Sequence, residues 1–212
     1  MNQESVTLTT ILWWIGQTVY FYLPAVAANM APVVAAKFDA RNKQTGTAIR
    51  SWYNHPIFET ALGANKTWRG VLFGILAAGI VFWAQKDLML SRGGAALSLL
   101  NYQTQSIVVM AVLFGGGAMA GDSLKSFFKR RIPKGGIFPR FRYVPPENRK
   151  YPENSKWQPF DQLDFIIGAT ALTAIVYFPG WHIFGIALFL AATITPGANY
   201  LFYKAGWKRV PY

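Results

Sequence analysis

The chain has 212 residues, 52% apolar and 16% aromatic but only 14% charged. That is about half the charged share of an ordinary soluble domain, which excludes a typical soluble fold and points to a membrane protein. The absence of cysteine excludes a disulfide framework, a thiolate metal site and a Cys nucleophile, and the net charge of +12 raises nucleic acid as a partner, which the distribution of the bases along the chain argues against.

The first apolar segment, Val6 to Ala36, exceeds the roughly 20 helical residues that cross a bilayer core, and Pro24 and Pro32 predict a kink or break within it. No basic n-region or small-residue cleavage site precedes it, so the segment is expected to stay in the mature protein. Asn29 lies among the small residues of Leu23 to Pro32, where an amide facing lipid is costly. It has two readings: a structural hydrogen bond to a neighbouring helix, or a contact inside a site.

A polar segment follows, carrying Lys37, Arg41, Lys43, Arg50, Lys66 and Arg69 against Asp39 and Glu59. It ends in Gly-Ala-Asn-Lys-Thr-Trp-Arg-Gly (Gly63 to Gly70) and leads into a second span, apolar from Val71 to Ala84, and then a loop whose only charges are Lys86, Asp87 and Arg92. The third span is apolar from Ile107 to Ala120 and dense in small residues that let helices approach closely. Its 14 residues fall short of a crossing. Either the helix begins earlier, near Leu97, or it continues through Asp122 to Phe128; the second is favoured and puts Asp122 and Lys125 below the headgroups, facing a protein-lined polar cavity.

A Pro- and aromatic-rich basic loop, Arg130 to Phe160, is expected to be irregular. A fourth span runs from Asp161 to Phe178, Pro179-Gly180 is a turn, and a fifth span covers Trp181 to about Tyr203 before the tail Lys204 to Tyr212. The expectation is an all-α integral membrane protein with about five transmembrane helices and one domain over residues 1–212, with cytoplasmic loops at about 37–69 and 121–160. Of the 21 Lys and Arg residues, 19 fall on one side of this topology. The positive-inside rule makes that side cytoplasmic, with the N-terminus outside and the C-terminus inside, and leaves no need for nucleic acid.

The charged stretch from Gly121 to Asp164 concentrates the chemistry. On a helix Asp122, Lys125 and Lys129 share one face, and Asp161 and Asp164 share another. If the two helix ends meet, three carboxylates converge as hard oxygen ligands suited to Mg2+, with one ion or two left open. Lys66, Lys125, Lys129, Arg130 and Arg131 can balance a polyphosphate. The bland alternative makes the aspartates internal counter-ions of those bases. Gly63 to Gly70 lacks the Walker spacing, but sets a Lys and a Thr in a turn at a helix start, where free N–H groups favour anions. His55 and His182 are lone histidines, read as structural.

Lys-Thr-Trp-Arg-Gly (Lys66 to Gly70), Gly-Asp-Ser-Leu-Lys-Ser-Phe-Phe-Lys-Arg-Arg (Gly121 to Arg131) and Asp-Gln-Leu-Asp-Phe (Asp161 to Phe165) resemble the motifs of the CDP-archaeol synthase family, which is related to CDP-diacylglycerol synthase. The resemblance also takes in Leu23 to Pro32 and Asn199 to Tyr212. It implies a magnesium-dependent cytidylyltransferase of the cell membrane that transfers CMP from CTP to a phosphorylated glycerolipid of the archaetidic type. Carried over, Asp122, Asp161 and Asp164 hold the metal and, with Lys125, are catalytic. Lys66, Thr67, Arg69, Ser123, Lys129, Arg130 and Arg131 bind CTP and its phosphates, and Asn29 is a lipid-binding or structural polar residue. The implied reaction is attack of the lipid phosphate on the α-phosphorus of CTP. The family pattern implies a shorter link than Ile132 to Phe160, an expected departure that would bear on the lipid substrate. Competing readings are a CDP-diacylglycerol synthase acting on phosphatidic acid, a CTP-dependent polyprenol or lipid kinase, and, outside enzymes, a small ion-coupled transporter.

Overall fold

The computed structural model describes residues 7–36, 55–92, 94–151, 157 and 160–206. Lys37, Arg41, Lys43, Arg50 and Lys156 lie outside the described residues, as does the tail beyond Gly206. The described part is helical, in the order α1 (Leu8–Ala35), α2 (Glu59–Leu62), α3 (Trp68–Arg92), α4 (Ile107–Ala111), a π-helical turn (Val112–Gly116), α5 (Gly117–Lys129), α6 (Phe160–Thr173) and α7 (Trp181–Lys204). Among the described residues no strand forms beyond two isolated bridges, Pro56 with Thr67 and Pro133 with Arg149.

The chain is an all-helical integral membrane protein. Three of its helical segments, α1, α3 and the continuous Ile107–Lys129, are long and apolar enough to cross a bilayer. The fifth expected span is α7, 24 residues long with Pro196 inside it. The fourth is shorter than expected: α6 ends at Thr173 and not at Phe178, because the amides of Ala174, Val176 and Tyr177 bond back to Thr170 and Thr173 and close a turn. Its 14 residues span about 21 Å, less than the hydrocarbon core.

α1 starts where Thr7 Oγ1 accepts the Thr10 amide at 3.3 Å, and it continues through Pro24 and Pro32 without the expected break. A proline at 24 leaves the Tyr20 carbonyl without its intrahelical donor. Gln85 Nε2 of α3 donates to that carbonyl at 2.5 Å, so the orphan is satisfied from a neighbouring helix. The loop expected to hold Lys86, Asp87 and Arg92 is instead the end of α3, which runs to Arg92. Lys86 Nζ reaches the Gln105 carbonyl at 2.9 Å.

Phe21, Phe82, Met110, Phe114 and Ile183 form the centre of the core, with Phe21 and Phe114 edge to face at 5.1 Å and Tyr102 stacked on Phe82 at 4.8 Å. Leu12, Leu76, Ile80 and Phe189 point outward at 60–67% exposure, as suits a surface whose solvent is lipid. α5 and α6 touch backbone to backbone. A Cβ at Gly117 would meet the Gly168 carbonyl, one at Gly121 the Asp164 carbonyl, and one at Gly168 the Gly117 carbonyl. Small residues four apart on α5 permit that approach, and it sets where the charged residues beside them stand.

Candidate functional site

The approach to α3, the last turns of α5 and the first turn of α6 meet at one end of the bundle. Residues 55–57 pair antiparallel with 66–68, through Ile57 N to Lys66 O at 2.8 Å and Trp68 N to His55 O at 3.3 Å. This pairing holds Lys66 and Thr67 at the mouth of α3, where Thr67 Oγ1 accepts the Gly70 amide at 3.2 Å. Gly63 takes φ +91°, and the Arg130 guanidinium fills the space a Cβ would need there while its Nε donates to the Leu62 carbonyl at 3.0 Å. The Lys-Thr turn is thus latched to the end of α5.

Within this end lies a cluster of alternating charge. The Lys125 ammonium stands 3.1 Å from Asp122, 3.2 Å from Asp161 and 2.8 Å from Asp164. Lys66 pairs with the other oxygen of Asp122, and Lys129 lies 3.9 Å from Asp161. The carboxylate of Asp164 is 6% exposed, and its Oδ2 faces the ammonium as an ion pair without an aligned hydrogen bond. Asp161 accepts the Trp157 amide, which fastens the approach to α6. The three carboxylates do converge, as their spacing predicts, but on a lysine. Among the described residues no group of three or more His, Asp or Glu forms a ready metal cage.

The cluster forms the charged end of a cavity of about 500 Å³. Asn65, Lys66, Thr67, Asp122, Ser123, Lys125 and Asp161 line that end, and Asn29 of α1 lines it further along. The remainder is apolar, walled by Leu23, Val26 and Met30 of α1, Phe165 of α6, and Leu190 and Ile194 of α7. Leu23 and Ile194 are 41% and 58% exposed, so the apolar part reaches the outer surface of the bundle between α1 and α7. One space therefore joins a charged end to an apolar lane.

Comparison with known proteins bears directly on this pairing. Residues 11–139 match the CarS-like family, CDP-archaeol synthase. The chain belongs to this family. CDP-archaeol synthase of Thermococcus gammatolerans is 30% identical over 97% of this chain and 98% of its own length. Those of Thermococcus kodakarensis and Archaeoglobus fulgidus are each 31% identical, over 97% and 92% of this chain and 98% and 97% of their own. No solved structure matches the chain. The CarS-like match ends at Pro139, inside the link between the Arg131 and Asp161 motifs.

In this member of the CarS-like family the residues singled out from sequence divide into three groups. Lys66, Thr67, Asp122, Ser123, Lys125, Asp161 and Asn29 line the cavity, with Lys129 and Asp164 tied to its charge cluster. Arg69 is 7% exposed and lies outside the lining. Arg130 and Arg131 turn away from it: Arg130 secures Leu62, and Arg131 folds over the Phe127 ring at 3.4 Å with Nη1 on the Phe127 carbonyl. His55 bonds the Pro56 carbonyl and His182 packs on Trp14, as structural histidines do. The sequence reading missed Asn65 and the apolar lane. The lane had a signal, since Val19, Leu23, Val26, Met30 and Val33 recur at helical spacing along one face of α1.

Proposed function

We propose that the chain is a CTP-dependent cytidylyltransferase that transfers CMP to a phosphorylated ether glycerolipid of the archaetidic type, giving CDP-archaeol and pyrophosphate. The observation that carries this reading is the single cavity whose lysine-rich end continues into an apolar lane opening toward lipid. A soluble nucleotide and an amphiphilic phosphate need such a shared space. The names of the relatives support the same reaction.

In the proposed step an oxygen of the lipid phosphate attacks the α-phosphorus of CTP, and the bond from that phosphorus to the oxygen bridging to the β-phosphate breaks. Pyrophosphate leaves with the bond electrons. The attacking oxygen is already anionic, so no general base is needed and catalysis rests on positioning and charge neutralisation. Lys66 and Lys125 face the space the phosphates would occupy, and Lys129 adds charge from the α5 side. Ser123 and Asn65 offer hydrogen bonds, while Thr67 shapes the turn that presents Lys66. Arg69, Arg130 and Arg131 are read as supports of that turn and of α5.

The chemistry of three carboxylates suits a hard divalent cation, which would have to displace the Lys125 ammonium on which they now close. Asp122, Asp161 and Asp164 each bring a carboxylate oxygen within 3.2 Å of the Lys125 ammonium. Asp122, Asp161 and Asp164 would hold Mg2+, which when bound would supply Lewis-acid neutralisation of the phosphate charge. We read the site as cytoplasmic and the chain as a multi-pass cell-membrane protein with its N-terminus outside, because the topology expected from sequence gathers 19 of the 21 Lys and Arg residues on one side.

Purified protein in detergent, given CTP, magnesium and either a geranylgeranyl-ether glycerol phosphate or phosphatidic acid, is expected to yield a CDP-lipid by mass analysis, more from the ether substrate. Asp122→Asn is expected to lower pyrophosphate release about 100-fold while the protein still elutes as a folded species. A lipid monophosphate together with CDP would make the protein a kinase, and near-normal turnover of the variant would remove Asp122 from the site.

A further inference from the structure

Residues 131–150, within the link between α5 and α6, form a built loop with an unusual tip. Its base is closed by Lys134 N to Asn148 O at 2.7 Å and Lys150 N to Ile132 O at 2.8 Å, and Ile132, Val144 and Arg149 are buried beneath it. The tip runs the other way. Ile137, Phe138 and Phe141 are 76%, 80% and 98% exposed, alternating with exposed Lys134, Arg140 and Arg142. Three large apolar side chains held in water on a structured loop need a partner that also accepts cations.

The placement of the tip narrows the partner. The amide of Arg140 donates to the Arg131 carbonyl at 2.9 Å, two residues beyond the end of α5 at Lys129. Ile107–Lys129 is long and apolar enough to cross a bilayer, and this bond ties the tip back to the level of that segment's end. Aromatic and aliphatic side chains at that level enter the acyl boundary, and flanking Lys and Arg meet anionic headgroups. Bases interleaved with aromatics also suit RNA, but stacking on bases does not call for an isoleucine, and RNA does not explain a tip folded toward the end of a spanning helix.

We infer that the Lys134–Tyr143 tip is a membrane-seated arm that inserts Ile137, Phe138 and Phe141 into the anionic surface of the protein's own bilayer. The inference is independent of the reaction proposed for the cavity.

The chain has no cysteine, so Phe141→Cys takes a single environment-sensitive fluorophore on the full-length protein. In nanodiscs of phosphatidylcholine with phosphatidylglycerol, the label is expected to emit to the blue of its value in detergent. A lipid spin-labelled near the headgroup should quench it several-fold more than in phosphatidylcholine alone. K134Q/R140Q/R142Q in the same background is expected to lose the phosphatidylglycerol dependence. Equal quenching by aqueous iodide in nanodiscs and detergent would overturn the proposal, as would a shift produced by an RNA oligonucleotide and not by lipid. Phe138→Cys reports the same tip if the first variant elutes as misfolded.

Discussion

Gly121 of α5 rests against the backbone carbonyl of Asp164 in α6, with no room for a Cβ between them. Asp122, one residue on, and Asp164 are thereby brought to either side of the Lys125 ammonium, at 3.1 and 2.8 Å. The contact predicts that Gly121→Ala forces the helices apart, at a cost of about 1–3 kcal/mol for overpacking. The thermal midpoint in detergent should fall, and pyrophosphate release with it. Gly185→Ala, where a Cβ meets nothing within 4 Å, should hold or raise the midpoint. Equal midpoints for the two variants would mean that the close approach does not constrain the site.

Lys125→Met removes the cation shared by three carboxylates and leaves them facing one another, a loss of about 3–5 kcal/mol for an uncompensated buried charge. Magnesium is expected to restore more of the midpoint in this variant than in the parent protein, because the metal would take the place the ammonium held. Midpoints insensitive to magnesium in both proteins would withdraw the metal from Asp122, Asp161 and Asp164.

Arg130 separates two roles, since its guanidinium is committed to Leu62 and to the space beside Gly63. If it positions the Lys66 turn, Arg130→Ala should raise the KM for CTP about tenfold, roughly the loss of one charge-assisted hydrogen bond, with kcat little changed. Lysine lacks the Nε donor and should not rescue it. A matching fall in kcat would return Arg130 to the phosphates.

The apolar lane can be filled from α1. Val26→Trp places a ring between α1 and α7 and is expected to raise the KM for the lipid phosphate several-fold while leaving that for CTP unchanged. Steady-state kinetics with each substrate varied in turn distinguishes this from a general loss of packing, which would move both constants.

Much of this was legible in the chain. Apolar runs anticipated α1, α3, Ile107–Lys129, α7 and the greater part of α6, and a third run too short to cross left two extensions, of which Ile107–Lys129 displays the one through Asp122. The i, i+3 spacing of Asp122 with Lys125, and of Asp161 with Asp164, put each pair on one helix face, and the meeting of α5 with α6 makes the carboxylates converge. Of the kink or break expected in α1 the break does not occur, because sequence counts the donor that Pro24 lacks but not Gln85, 61 residues later, which replaces it.

The amino-acid sequence by itself determined the membrane class, the helical segments, the charge asymmetry and the acidic and basic residues available for chemistry, because hydropathy and helical periodicity are local properties. Only the tertiary structure decided that Lys125 stands at the centre of the three aspartates, that Arg130 latches a glycine turn, and that α1 and α7 leave an apolar lane beside the charges. Those outcomes depend on which backbones can touch, and glycines at 117, 121 and 168 fix that only once α5 and α6 are packed together.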